Sequence, residues 1–129
     1  MSGEDSLRFV VGLGNPQPEY EGTRHNVGFM VLEELRRRWR FGRARARFHA
    51  RCWQGRLGPQ PVVLLAPQTY MNRSGLAVRE AMDFYKAGRR AVLVVLDDMA
   101  LPLGRLRARA RGSAGGHKGL ESIIAHLGH

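Results

Sequence analysis

At 129 residues, with 43% apolar and 25% charged side chains, the chain is sized and composed for one packed domain, not for two domains or a disordered segment. Its single cysteine excludes an internal disulfide, and its longest clean apolar run, Ala91 to Leu96, is far short of the ~20 residues of a membrane-spanning helix. A total of 21 Lys and Arg against 11 Asp and Glu gives a net charge of +10, nearly all of the excess arginine, which fits either a solvated basic surface or a polyanionic partner, nucleic acid first among them.

The N-terminus, Met1-Ser-Gly-Glu-Asp-Ser, is polar and acidic, unlike a secretory or transit signal, so a cytoplasmic protein is expected. Arg8 to Leu13 is an apolar run ending in Gly14-Asn15-Pro16, which predicts a buried strand stopped by a turn. Val27 to Arg38 has helical periodicity, with Val27, Met30, Val31, Leu35 and Trp39 as the apolar stripe and Thr23 or Asn26 able to cap it. Arg43 to Trp53 alternates almost strictly and predicts one strand with a basic face. Gly58-Pro59 turns the chain into a strand over Val62 to Ala66. Leu76, Val78, Ala81, Met82 and Tyr85 predict a helix over Ser74 to Tyr85, and Ala91 to Leu96 a buried strand ending at Asp97-Asp98. Leu103 to Arg111 alternates again, with Arg105, Arg107, Arg109 and Arg111 on one side, and a glycine-rich stretch opens a last helix over Leu120 to Leu127. Strands alternating with helices, interrupted by hairpins, predict an α/β single domain over 1–129 with a mixed twisted sheet flanked by helices.

In such sheets ligands bind beyond the carboxyl ends of the strands. Asn15, Met71-Asn72 and Asp97 follow predicted strands, His25-Asn26 precedes the first helix and His117-Lys118 the last, which points to one site. Each piece alone has a plainer reading. Gly12-x-Gly14 with Pro16 and Gln17 is a poor dinucleotide fingerprint and is rejected as one; Gly112 to Gly119 lacks Walker spacing. His49-x-x-Cys52 on a strand would send its side chains to opposite faces, which favours surface and core positions over a metal site, with Cys52 a small core residue. His25 alone could cap or catalyse, and Asp97-Asp98 could be a turn or hold Mg²⁺.

The combination is more specific. Gly12-Leu-Gly-Asn-Pro16, Tyr20, Thr23-Arg-His-Asn-Val-Gly-Phe29, Pro67-x-Thr-Tyr-Met-Asn-x-Ser-Gly75, Asp97-Asp98 and Gly112-Ser-Ala-Gly-Gly-His117 resemble, in order and spacing, the bacterial peptidyl-tRNA hydrolases from about Leu7 to Gly128. That resemblance implies hydrolysis of the ester between a peptide and the 3′-terminal ribose of tRNA, recycling peptidyl-tRNA released from ribosomes. It implies His25 as catalytic base and Asp97 as its carboxylate, with Asn15, Tyr20, Met71, Asn72 and His117 lining the substrate cleft and Lys118 where the family usually has asparagine. Ala100 stands at the loop's usual second acidic position. The expected partner is peptidyl-tRNA, taken as substrate by a monomer without metal, cofactor or membrane. A non-catalytic RNA-binding protein of the same fold is the alternative. The family continues past the position of His129 through further elements, so a C-terminally truncated domain is expected.

Overall fold

The computed structural model describes residues 7–14, 27–69, 73–96 and 99–102. They form β1 (Arg8–Gly12), α1 (Val27–Arg38), β2 (Arg45–Arg47), β3 (Ala50–Leu57), β4 (Gln60–Pro67), α2 (Ser74–Tyr85), β5 (Val92–Leu96) and β6 (Met99–Pro102). The strands make one sheet in the order β2-β3-β4-β1-β5-β6. Its centre is parallel: β1 pairs with β4 on one side (Phe9↔Val63, Val11↔Leu65) and with β5 on the other (Phe9↔Val92, Val11↔Val94). Its flanks are antiparallel, β2 on β3, β3 on β4 and β6 on β5. The mixed α/β sheet expected from the sequence is the one that forms.

A strand buried on both faces reads as an unbroken apolar run, and β4 is the example here. Val63 and Leu65 join a core that includes Phe9, Val11 and Val94 with Ala77, Val78, Ala81 and Met82 of α2. Val62, Leu64 and Ala66, on the alternate positions, join Trp53, Phe41 and Leu32 of α1. The two helices therefore cover opposite faces of the sheet. Full burial of one such aliphatic side chain contributes about 1.5–3 kcal/mol, and Val63, Leu64 and Leu65 are each 0% exposed.

Three expectations change. The apolar stripe of α1 is turned from the predicted one: Gly28 and Leu32 are buried, Phe29, Leu35 and Trp39 pack partly, and Met30 is 51% exposed. The reason is that the helix docks through the backbone of Gly28, which fixes the seam at Gly28-Leu32-Leu35. The single strand expected over Arg43 to Trp53 is instead the hairpin β2–β3, with Phe48 and His49 as a two-residue turn at φ of 57° and 56°. Both residues occupy the left-handed region that such a turn needs, usually given to Asn or Gly. The chain accepts this because Phe48 packs on Phe84 and Tyr85, and His49 Nδ1 lies 2.8 Å from Glu80 Oε1. Lastly, β6 begins two residues after β5, where no strand was expected, and Ala91 belongs to a 3-10 turn over Arg89–Ala91. The elements expected at Leu103 to Arg111 and Leu120 to Leu127, and the caps at Thr23 or Asn26, lie outside the described residues.

Candidate active site

Because β4, β1 and β5 are parallel neighbours, their carboxyl ends open side by side on one edge of the sheet. The ladder is carried past β1 by Leu13, whose N–H donates to the Val95 carbonyl at 2.9 Å. Past β4, the Gln68 N–H donates to the His49 carbonyl at 2.9 Å. The first turn of α1 lies directly on this edge. A Cβ on Gly28 would overlap the Leu13 backbone and stand 2.7 Å from the Val95 carbonyl oxygen; one on Gly12 would stand 2.7 Å from Leu32 Cγ, and one on Gly14 2.8 Å from the Phe29 ring. Only residues without side chains allow strand end and helix start to approach so closely. The helix carries no acid in its first turn and Arg36, Arg37 and Arg38 in its last, so its positive end faces the strand ends uncompensated by its own residues.

Next to the same edge, Thr69 follows β4 with its Oγ1 buried and without a hydrogen-bond partner, and Ser74, 1% exposed, opens α2. Helix α2 starts after Arg73 with no side-chain cap, and ends on Lys86 in the left-handed conformation, whose N–H and that of Ala87 return to Asp83 and Met82 carbonyls.

The eight residues singled out in the sequence, Asn15, Tyr20, His25, Met71, Asn72, Asp97, His117 and Lys118, all lie outside the described residues. What is described is the frame from which they extend. Asn15 follows Gly14, His25 stands two residues before α1, Met71-Asn72 stand between Thr69 and Arg73, and Asp97 follows β5.

The sequence profile of the peptidyl-tRNA hydrolase family matches residues 9–129. This chain belongs to that family. A peptidyl-tRNA hydrolase of Synechococcus sp. strain JA-3-3Ab is 54% identical over 126 residues, covering 97% of this chain and 56% of the relative; one of Bacillus cytotoxicus is 48% identical over 122 residues, covering 95% and 66%. The crystal structure of peptidyl-tRNA hydrolase from Acinetobacter baumannii superposes with a TM-score of 0.78 at 33% identity, over 99% of this chain and 66% of that one. The chain thus spans little more than half the length of the Synechococcus relative.

Within the family frame, the glycines of the first two motif blocks act as contact residues between β1 and α1, a role the sequence reading missed. The available signal was Gly28, a poor helix former placed in the first turn of an otherwise apolar helix. Cys52 is a core residue as expected, 2% exposed, and burial pushes its thiol up, which makes it a poor nucleophile. His49 stands in the hairpin turn, paired with Glu80. Among the described residues no three His, Cys, Asp or Glu side chains are grouped to hold a metal ion, and no helix is long and apolar enough to cross a membrane.

Proposed function

We propose that this protein hydrolyses the ester joining a peptide to the 3′-terminal ribose of tRNA. The observation that carries the reading is the convergence of motif-bearing chain: the ends of β4, β1 and β5 and the start of α1 share one edge, and Asn15, His25, Met71-Asn72 and Asp97 stand within a few residues of those ends in sequence. Covalent reach adds to it, since consecutive Cα atoms are about 3.8 Å apart and Asp97 is two residues from Val95. The relatives' names as hydrolases favour catalysis over a purely RNA-binding role.

In this reading His25 accepts a proton from water as its oxygen attacks the ester carbonyl, and Asp97 orients the imidazole and stabilises its protonated form. Asn15 and Asn72 hold the tetrahedral oxyanion with uncharged amide donors, and the positive end of α1 favours the same negative charge. Collapse expels the ribose oxygen, which takes the proton back from His25, leaving a free tRNA hydroxyl and a peptide carboxylic acid that releases its remaining proton to solvent as the carboxylate. Tyr20, Met71, His117 and Lys118 border the substrate. The enzyme acts in the cytoplasm as a monomer, with no metal or cofactor in any step.

The test is release of N-acetyl-aminoacyl groups from tRNA. His25→Ala should lower turnover by about 10²–10⁴ while the protein stays folded. Turnover near wild type in a folded His25→Ala protein removes His25 as the base, and inactivity of the unaltered protein overturns the hydrolase reading.

A further inference from the structure

The β2 edge of the sheet carries a second feature that the hydrolytic site does not use. Arg45 and Arg47 pair in register with Cys52 and Ala50, two residues of the core beneath α2, so both side chains lie on the α2 face. With Arg43 they line an open groove of about 470 Å³, completed on one side by Gln54. Among the described residues no carboxylate lines it, and none of the three arginines pairs with one.

Arg47 is nevertheless held in place. Its guanidinium lies over the Phe48 ring at 4.8 Å and the Phe84 ring at 4.6 Å, and its Nη1 donates to the Tyr85 hydroxyl at 3.4 Å. Gln54 Nε2 donates to the same hydroxyl. Phe84 is 58% exposed although it is a large apolar ring. A fixed cation without a counter-charge, two more arginines beside it and an open aromatic ring are the elements that track a nucleic-acid backbone and stack a base.

We propose that the Arg43-Arg45-Arg47 groove and Phe84 form an RNA-docking surface, taking phosphates on the arginines and a base on the ring. The partner's class rests on the hydrolase reading above. The position suits it: Arg47 is in register with Ala50 and, through β3, with Pro67 at the carboxyl end of β4. At a strand spacing of about 4.8 Å, β2 lies about 14 Å from β1, which puts this groove within reach of an RNA whose 3′ end enters at the strand ends.

The experiment is binding of deacylated tRNA, which has no ester to cleave, by the full chain across 50–200 mM salt. Changing Arg43, Arg45 and Arg47 together to Gln should weaken binding at least tenfold at the low end and flatten the log–log salt slope by about 2–3, since each lost phosphate contact removes roughly 0.7–0.9. Phe84→Ala should weaken binding about fivefold or more and leave the salt slope unchanged. Arg37→Gln with Arg38→Gln, on the far side of the sheet, should change neither. If the triple variant fails to melt cooperatively, the Arg43→Gln, Arg45→Gln pair, which spares the packed Arg47, is read instead. Unchanged affinity and slope in a folded variant overturn the proposal. So does loss of binding to polyglutamate with tRNA binding intact, which would mark an acidic-protein site. Hydrolysis separates the two readings: KM for N-acetyl-aminoacyl-tRNA should rise in the triple variant with kcat unchanged. A wild-type protein that binds tRNA through this groove without cleaving the ester would sink the hydrolase reading and leave the docking surface standing.

Discussion

On the outer face of α1, Arg36 reaches Glu33 at 3.3 Å, Arg37 and Arg38 reach Glu34 at 2.5 and 2.7 Å, and Arg51 crosses from β3 to Glu33 at 2.9 Å. At the β2 edge, on the opposite face, Arg47 meets two aromatic rings and a hydroxyl, Arg43 and Arg45 line the open groove beside it, and none of the three meets a carboxylate among the described residues. Exposed pairs such as those on α1 add little stability individually, so their main effect is to neutralise. A net charge of +10 is thus not spread evenly over the arginines: one cluster of four is half neutralised by Glu33 and Glu34, and another projects its full field. The hairpin turn at Phe48-His49 makes the division, because an uninterrupted strand would have put Arg51 on the same face as Arg47.

The two regions also differ in how they are held, and substitutions should separate them. The largest effect is expected on the α1 side, where strand end and helix start meet through backbone. Gly28→Val should destabilise the fold by about 3 kcal/mol or more, because the Leu13 and Val95 backbone cannot yield to a side chain. Gly42→Ala, on the approach to β2 with nothing within 4 Å of an added Cβ, should stay within about 0.5 kcal/mol. Urea denaturation of both proteins checks the contrast, and equal losses would break it.

A smaller effect of opposite sign is expected at the hairpin. His49→Gly relieves a left-handed residue at the cost of an exposed pair with Glu80, for a net gain of about 1 kcal/mol and a few degrees in Tm. A lower melting temperature would mean that the Glu80 contact outweighs the backbone strain.

The smallest concerns pH. Hydrogen bonds from Arg37 and then Arg38 hold the Glu34 carboxyl at about 2, against an ordinary 4.5. Because the folded value is the lower one, the contribution of Glu34 is complete above pH 4.5 and is lost as pH falls through about 2. Glu34→Gln should therefore flatten the acid limb of the stability curve between those values, its small loss being complete at neutral pH and absent below about pH 2. Arg45→Gln at the β2 edge, with no carboxylate beside it among the described residues, should leave that limb as it is.

Much of this architecture was legible in the sequence. Helix α2 spans Ser74–Tyr85 as its periodicity implied, and the central strands declared themselves through the runs Phe9-Val10-Val11 and Val62 to Ala66. Alternation misled at Arg43 to Trp53, since the polar-apolar pattern runs on through Phe48-His49 although the hairpin swaps the faces there, and Phe-His carries none of the usual Asn or Gly signal. The stripe of α1 misled because a glycine contributes nothing to an apolar pattern, yet Gly28 sets how the helix is rotated. β6 escaped because Met-Ala-Leu-Pro is too short to show a period. The motif blocks and their order made the family legible, which the profile match bears out, whereas the site residues themselves lie outside the described residues. The groove at β2 was half visible: alternation exposed its arginines, but only the hairpin brings Arg47 under Phe84.

The order of strands across the sheet also sets an order in time. The central strand β1 is made before its neighbours: its partner β4 follows roughly fifty residues later and β5 later still, as the pairs Phe9↔Val63 and Phe9↔Val92 require. At about 5–20 residues per second, the segment around Phe9-Val10-Val11 spends several seconds of synthesis without its neighbours. The hairpin units β2–β3–β4 join residues close in sequence and close first, with α1 supported meanwhile by its own i,i+3 and i,i+4 pairs. The keystone of the sheet is thus laid down first and fitted late, and until β4 arrives the nascent chain carries an apolar strand with both edges open.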